Sequence, residues 1–179
     1  MLTIMPAVME ELDLCVQCIR DGRQFQLKQG FVQWTDDYPN AEIVRQDILC
    51  GKGVVIKSDG EIAGYLCLDF DGDPAYPDIV GRWQLEEPYG VIHRMAFREK
   101  FQGKGLADAA FGLIGDYCIA KGVPYLRIDT DYPNLRMQHI LEKNGFVYCG
   151  TVLFAGAPKL AYDKPLRRES GASAGTAQI

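Results

Sequence analysis

Histidine is scarce in this chain, and so are grouped cysteines, long apolar runs and excess basic charge. His93 and His139 are the only imidazoles, too few for a histidine-rich metal centre. The six cysteines (Cys15, Cys18, Cys50, Cys67, Cys118, Cys149) are scattered through apolar segments, and a chain of 179 residues can bury enough surface to fold without disulfides. They read as reduced, buried thiols. Cys15 and Cys18 do form a C-x-x-C, but it lies in a helical pattern with no second pair, so no metal is expected. No apolar run approaches the roughly 18 residues of a membrane span. The N-terminus turns acidic at Glu10 and Glu11, where a signal peptide would hold its apolar segment. The expectation is a cytoplasmic protein with no membrane partner. Lys plus Arg number 19 against 24 Asp plus Glu, a net charge of −5. The chain therefore lacks the footprint of a nucleic-acid binder, and a phosphate-bearing ligand would need a local site.

What is present is the composition of one globular domain with an ample core, 47% hydrophobic and 24% charged. Val8, Leu12, Cys15 and Ile19 recur at helical spacing and predict a helix over 7–21, ending near Asp21 and Gly22. Residues 22–39 read as a short helix and loop carrying Phe31, Trp34 and Tyr38. Asn40 is placed to cap a helix AEIVRQDIL. From Gly53 the pattern turns to strands: VVIK, the turn Asp59-Gly60, then EIAGYLCLDF, an antiparallel hairpin. An acidic loop from Asp71 to Glu87 precedes the strand GVIHRMAF. A helix over 105–120, the strand YLRIDT, a helix over 134–143 and the strands FVYCGTVLF and KLAYDKPL follow. This order predicts a mixed sheet with helices on its faces, a single domain over 1–166. The tail 167–179 is small and polar, the composition of a disordered segment.

The turn after GVIHRMAF reads FREKFQGKGLADAAF. Gly103 and Gly105 let the backbone bend and approach a ligand closely, and the helix starting there aims unpaired N–H groups at whatever sits in front. Such a turn suits an anion, with Lys104 adding charge and Ala107 leaving room. The other G-K-G, Gly51-Lys52-Gly53, reads as a link into a strand. A dinucleotide fingerprint fails because Asp108 stands where its third glycine belongs. The nucleotide-triphosphate loop fails for want of a following Lys-Ser or Lys-Thr.

Gln102-Gly103-Lys104-Gly105-Leu106-Ala107 resembles the Q/R-x-x-G-x-G/A pyrophosphate loop of the GNAT superfamily of acyl-CoA-dependent N-acyltransferases. The segment from Asn134 to Phe146, with its leading Asn and closing E-K-x-G-F, is also similar to that family. The likeness runs from about Gly53 to Leu166. Gln33-Trp34 with Tyr38-Pro39 looks like a feature of a bacterial branch. The resemblance implies a GNAT-like α/β (α+β) domain: a mostly antiparallel sheet with one parallel strand pair, flanked by helices. It implies acetyl-CoA as co-substrate, held by Met95, Ala96 and Phe97 on the pantetheine strand, by Gln102 to Ala107 at the pyrophosphate, and by Asn134, which is also placed to cap its helix.

Acyl transfer needs a neutral amine, and alkyl amines have pKa values near 10, so the site must supply a base or desolvate the amine. Asp129 and His93 are the candidates. Asp129 could instead pair with Arg94 or Arg127, and His93 could be a hydrogen-bonded core histidine. The resemblance places the oxyanion donor, a backbone N–H, near Ala96. The family's usual tyrosine acid is replaced by Leu141, leaving Tyr132, Tyr148 or water to protonate the leaving sulfur. Trp34, Tyr38 and the acidic loop are expected to wall the acceptor's entrance. Met137, Ile140 and Leu141 read as core, Arg136 and Lys143 as solvated. The implied activity is transfer of acetyl from acetyl-CoA to a primary amine of a small molecule or peptide. An acyl-CoA sensor without turnover is the alternative. A homodimer is compatible with the sequence, which leaves the oligomeric state open.

Overall fold

The computed structural model describes residues 1–166; the tail 167–179, expected to be disordered, lies outside the described residues. The chain runs β1 (Leu2–Pro6), a 3-10 turn (Met9–Glu11), α1 (Leu12–Lys28), α2 (Ala41–Leu49), β2 (Gly53–Ser58) and β3 (Glu61–Asp69). It continues through β4 (Val80–Gly81), β5 (Gly90–Phe97), a second 3-10 turn (Glu99–Phe101), α3 (Leu106–Ala120), β6 (Tyr125–Thr130), α4 (Leu135–Lys143), β7 (Val147–Phe154) and β8 (Ala157–Pro165). The strands form one sheet in the order β1-β2-β3-β5-β6-β8-β7-β4. Among the described residues only β5 and β6 are parallel. This is the mixed, mostly antiparallel sheet with one parallel pair that the sequence predicts.

Period-two alternation explains how the sheet carries helices on both faces. Along β2, Val54 and Ile56 join the core under α3 and α4 with Phe111, Ile114, Leu126 and Leu141. Val55, between them, joins the core under α1 and α2 with Cys15, Ile19, Val44 and Tyr65. Each fully buried side chain of this size contributes roughly 1.5–3 kcal/mol, set against the entropy of ordering it. Cys15 and Cys18 both lie in the α1 core, where burial pushes each thiol up to about 12. Among the described residues no cluster of three or more His, Cys, Asp or Glu side chains is placed to hold a metal. No helix there is long and apolar enough to cross a membrane.

Three differences from the sequence reading have local causes. The first helix does not end at Gly22. A β-carbon there would stand 2.8 Å from both Ala96 Cβ and the Trp34 ring, so Gly22 lets α1 press onto the sheet rather than stop. The helix closes two turns later, with Gly30 N–H donating to the Leu27 carbonyl and Phe31 N–H to that of Gln26. Second, Leu2–Pro6 is a strand. It pairs antiparallel with β2 at the sheet edge, and Leu2 and Ile4 pack against the core. Third, the acidic loop holds the two-residue strand β4 and an aromatic plug, Tyr76 and Trp83, seated on Val91, Val152 and Ala161. The hairpin at Asp59-Gly60 and the Asn40 cap, whose side chain accepts from Ile43 N–H, form as read.

Candidate active site

The site is built on the point where the parallel pair comes apart. β5 and β6 are in register from Gly90–Leu126 to Ile92–Ile128 and then diverge. The divergence coincides with a bulge in β5: Tyr65 pairs with Ala96 and Cys67 with His93, so Arg94 and Met95 stand opposite Leu66 alone. Arg94 absorbs the distortion with φ 55°. Two cavities open at the gap, of about 420 Å³ and about 480 Å³, and both are lined by Gln26, Trp34, Met95, Asn134 and Met137.

The first cavity runs from Met95, Ala96 and Phe97 to the G-K-G turn and α3. Gly103 and Gly105 adopt φ 73° and 71°, which L side chains rarely take, and a β-carbon on either would project into open space. Among the described residues, the backbone N–H groups from Gly103 to Ala107 have no protein partner, and no side chain caps α3. A phosphate-bearing group fits this cradle. Gln102 lines the cavity, but its amide donates to the carbonyls of Phe97 at 2.9 Å and Asp21 at 3.3 Å. It fastens the turn to β5 and α1. Lys104 does not line the cavity; its ammonium lies over the Phe101 ring. The nearby cations come from α4: Arg136 and Lys143, seven positions apart with His139 between them on the same helical face, line the wall facing the turn. Arg136 and Lys143 are exposed, as the sequence reading has them; what it missed is their shared helical face toward the turn, legible in the spacing. Lys143 also pairs with Asp108 at 2.5 Å, with Asn144 donating to the same carboxylate, so the acid near the helix start is neutralised and held below the usual carboxylate range.

The second cavity lies on the other side of Met95. It gathers His93, Arg94, Asp129, Thr130, Tyr38 and Lys159. Asp129 pairs with neither arginine suggested by the sequence. Arg94 is held by Asp47, and Arg127 stacks among Trp83, Tyr89 and Tyr125. Instead Asp129 accepts one hydrogen bond, from the Tyr76 hydroxyl at 2.8 Å, and burial pushes its carboxyl up from 3.8 to about 6. His93 is pushed down, by burial and then by the neighbouring Arg94 charge. Its Nε2 is 3.8 Å from Asp73, too long for a hydrogen bond. Asn134 does two jobs: its carbonyl caps α4 by accepting from Met137 N–H, and its amide donates to Gln33 Oε1. It thus ties α4 to the segment carrying Trp34.

A profile of the acetyltransferase (GNAT) family matches residues 19–146. The chain belongs to the GNAT acetyltransferase family. A solved GNAT-family acetyltransferase from Streptococcus agalactiae 2603 is 33% identical, with a TM-score of 0.85 over 93% of this chain and 96% of that one. A second, from Listeria monocytogenes 4b F2365, is 19% identical with a TM-score of 0.73, covering 92% and 95%. Aminoglycoside acetyltransferase AAC(6')-Ib in complex with coenzyme A is 18% identical with a TM-score of 0.67, covering 92% and 95%. The last two likenesses bear on the fold alone. No curated protein shows significant similarity to the chain.

Within this GNAT frame one expectation is narrowed and another needs correction. Leu141 is fully buried in the core, and neither tyrosine proposed in its stead lines a cavity. Tyr132 bonds Thr151 at 3.0 Å, and Tyr148 packs against Tyr162. The acidic loop does not wall the acceptor side. Gln84 bonds to Asp163 of β8 and Leu85 to Tyr125 at the start of β6, at the far end of that strand from Asp129, which carries Glu86 and Glu87 away from the gap. Of that loop's carboxylates Asp73 approaches, against His93. Trp34 and Tyr38 both line the second cavity, but Trp34 lines the first as well.

Proposed function

We propose that the protein transfers an acetyl group from acetyl-CoA to the primary amine of a small molecule or peptide. One observation carries the reading: an N–H cradle without partners among the described residues and a half-buried, singly bonded carboxylate open onto the same gap from opposite sides of Met95.

Acetyl-CoA supplies the activated carbonyl; the chain supplies position and a proton acceptor. The turn from Gly103 to Ala107 takes the pyrophosphate, with the α4 cations beside it. Arg98 N–H donates to the Ala63 carbonyl, and strand bonds alternate. Ala96 N–H therefore faces β3, and Phe97 N–H faces away from it. In this reading the oxyanion donor is a backbone N–H of β5 beside Ala96, at the bulge where the cavities join, since Ala96 N–H itself is turned to β3. Asp129 accepts the proton from the amine. A carboxylate with a pKa of about 6 is largely ionised at neutral pH yet far more basic than an ordinary aspartate. His93, kept neutral, remains on the same wall. With no tyrosine in the first cavity, water protonates the departing thiolate, which leaves passably on its own with a pKa near 8.5.

The test is thiol release from acetyl-CoA across a library of amines. Release with at least one class of amine is expected. Tight CoA binding with no release on any amine would replace this reading with the sensor.

A further inference from the structure

Tyr76 sits in the excursion between β3 and β5, far in sequence from β6, yet its hydroxyl reaches Asp129 Oδ2 at 2.8 Å. The ring is completely buried. It is tilted against Trp83 with centroids 5.0 Å apart, stacked near Tyr89 at 6.2 Å, and edge-on to Phe154 at 6.5 Å. Trp83 Nε1 donates to the Tyr76 carbonyl at 3.0 Å and so fixes the backbone as well. The hydroxyl has one place to point. Asp129 Oδ1 has no partner among the described residues. The other charged or titratable groups near Asp129 are Asp73 on the same excursion, Asp131 just beyond β6, Lys159 on β8, and His93 and Arg94 across the cavity on β5. Lys159 is already paired with Asp131.

We propose that Tyr76 is a positioning residue for acyl transfer: by holding Oδ2 it fixes the Asp129 carboxylate with Oδ1 turned to the acceptor amine. The inference rests on Asp129 being the base. A plug of aromatic side chains on a connecting loop thereby sets the geometry of the reaction centre. It also sets its protonation, because the hydrogen bond from Tyr76 opposes the desolvation that raises Asp129.

The titration of Asp129 can be read without an acceptor, from the carboxyl carbon resonance in aspartate-labelled protein, assigned by its absence in Asp129→Asn. Tyr76→Phe, which keeps the ring, is expected to move the midpoint upward by about one unit or more. The acid limb of turnover should move with it. A midpoint unmoved or lowered in Tyr76→Phe overturns the inference. Asp129→Asn retaining the wild-type acid limb overturns the base assignment, and the positioning role with it. Asp129→Asn losing the limb while Tyr76→Phe titrates as wild type overturns the role of Tyr76 alone. Should Tyr76→Phe not fold, the wild-type Tyr76 hydroxyl proton serves instead. A slowly exchanging resonance that collapses as pH falls through the Asp129 midpoint is expected, and one indifferent to that midpoint overturns the proposal.

Discussion

Arg94, held at φ 55° in the bulge of β5, is clamped by Asp47 of α2 through two parallel bonds, Nε to Oδ2 at 3.0 Å and Nη2 to Oδ1 at 2.7 Å. Tyr65 donates a third bond to the same carboxylate at 2.9 Å, and the remaining guanidinium nitrogen of Arg94 donates to the Tyr38 hydroxyl at 3.0 Å. A helix on one face of the sheet thus stabilises the distortion that opens the gap, and Tyr38 on the wall of the second cavity is placed by the same arginine. Removing one partner of a buried pair leaves the other unpaired at a cost of about 3–5 kcal/mol. Asp47→Ala should therefore lose about that much stability in denaturant titration. Arg94→Gly should be about 1 kcal/mol more stable than Arg94→Ala, because only glycine takes the left-handed conformation freely. Equal stabilities would show that the bulge relaxes once the side chain is gone.

Gly105→Glu should abolish CoA binding by calorimetry. The substitution puts an anion where the pyrophosphate is expected and strains a backbone at φ 71° by about 1–2 kcal/mol, which the fold can bear. Gly112→Glu, on the same α3 with open space around it, is the control and should bind CoA as the wild type does. Wild-type affinity in a folded Gly105→Glu would remove the phosphate site from this turn.

Asp129→Asn should lower turnover by on the order of a hundredfold while leaving CoA affinity nearly unchanged. The acid limb of wild-type turnover should fall near pH 6, because the base works only when ionised. His93→Gln should keep that limb; its loss there, with survival in Asp129→Asn, would transfer the role to His93. The same substitution should raise stability. The folded pKa of Asp129 lies above 3.8, so its stabilising contribution is complete below pH 3.8 and is lost as pH rises through about 6. At about 1.4 kcal/mol per unit, the loss at neutral pH is on the order of 1–3 kcal/mol. Asp129→Asn should thus melt higher than the wild type at pH 7, with the gap closing toward pH 3.5. A constant gap would show that the carboxylate is not desolvated.

Tyr38→Ala should raise the KM for an identified acceptor and leave that for acetyl-CoA in place, since Tyr38 lines only the second cavity. Trp34→Ala should raise both. Neutralising Glu86 and Glu87 together should change neither. Steady-state kinetics on the three variants decides the matter, and an acceptor KM that responds to the glutamates would bring the acidic loop back to the entrance.

Much of this molecule was legible in its residues. The hairpin, the Asn40 and Asn134 caps, the G-K-G turn at the head of α3 and the strand and helix periods depend on groups within a few positions of one another. Turn chemistry and side-chain alternation express themselves there whatever surrounds them. The sequence alone therefore determined the fold class, the glycine-bearing turn at the head of α3 and the short roster of titratable side chains. Tertiary structure decided the rest. Gly22 looked like a stop and proved to be a contact, because the Ala96 and Trp34 it touches lie on other segments. Asp129 was a candidate base or half of an ion pair until Asp47 claimed Arg94 and aromatic rings enclosed Arg127, leaving it to Tyr76. Which carboxylate loses its water and which gains a cation depends on partners 47 and 53 residues away. No local pattern in the chain encodes such distances, because only the closed sheet brings those groups together.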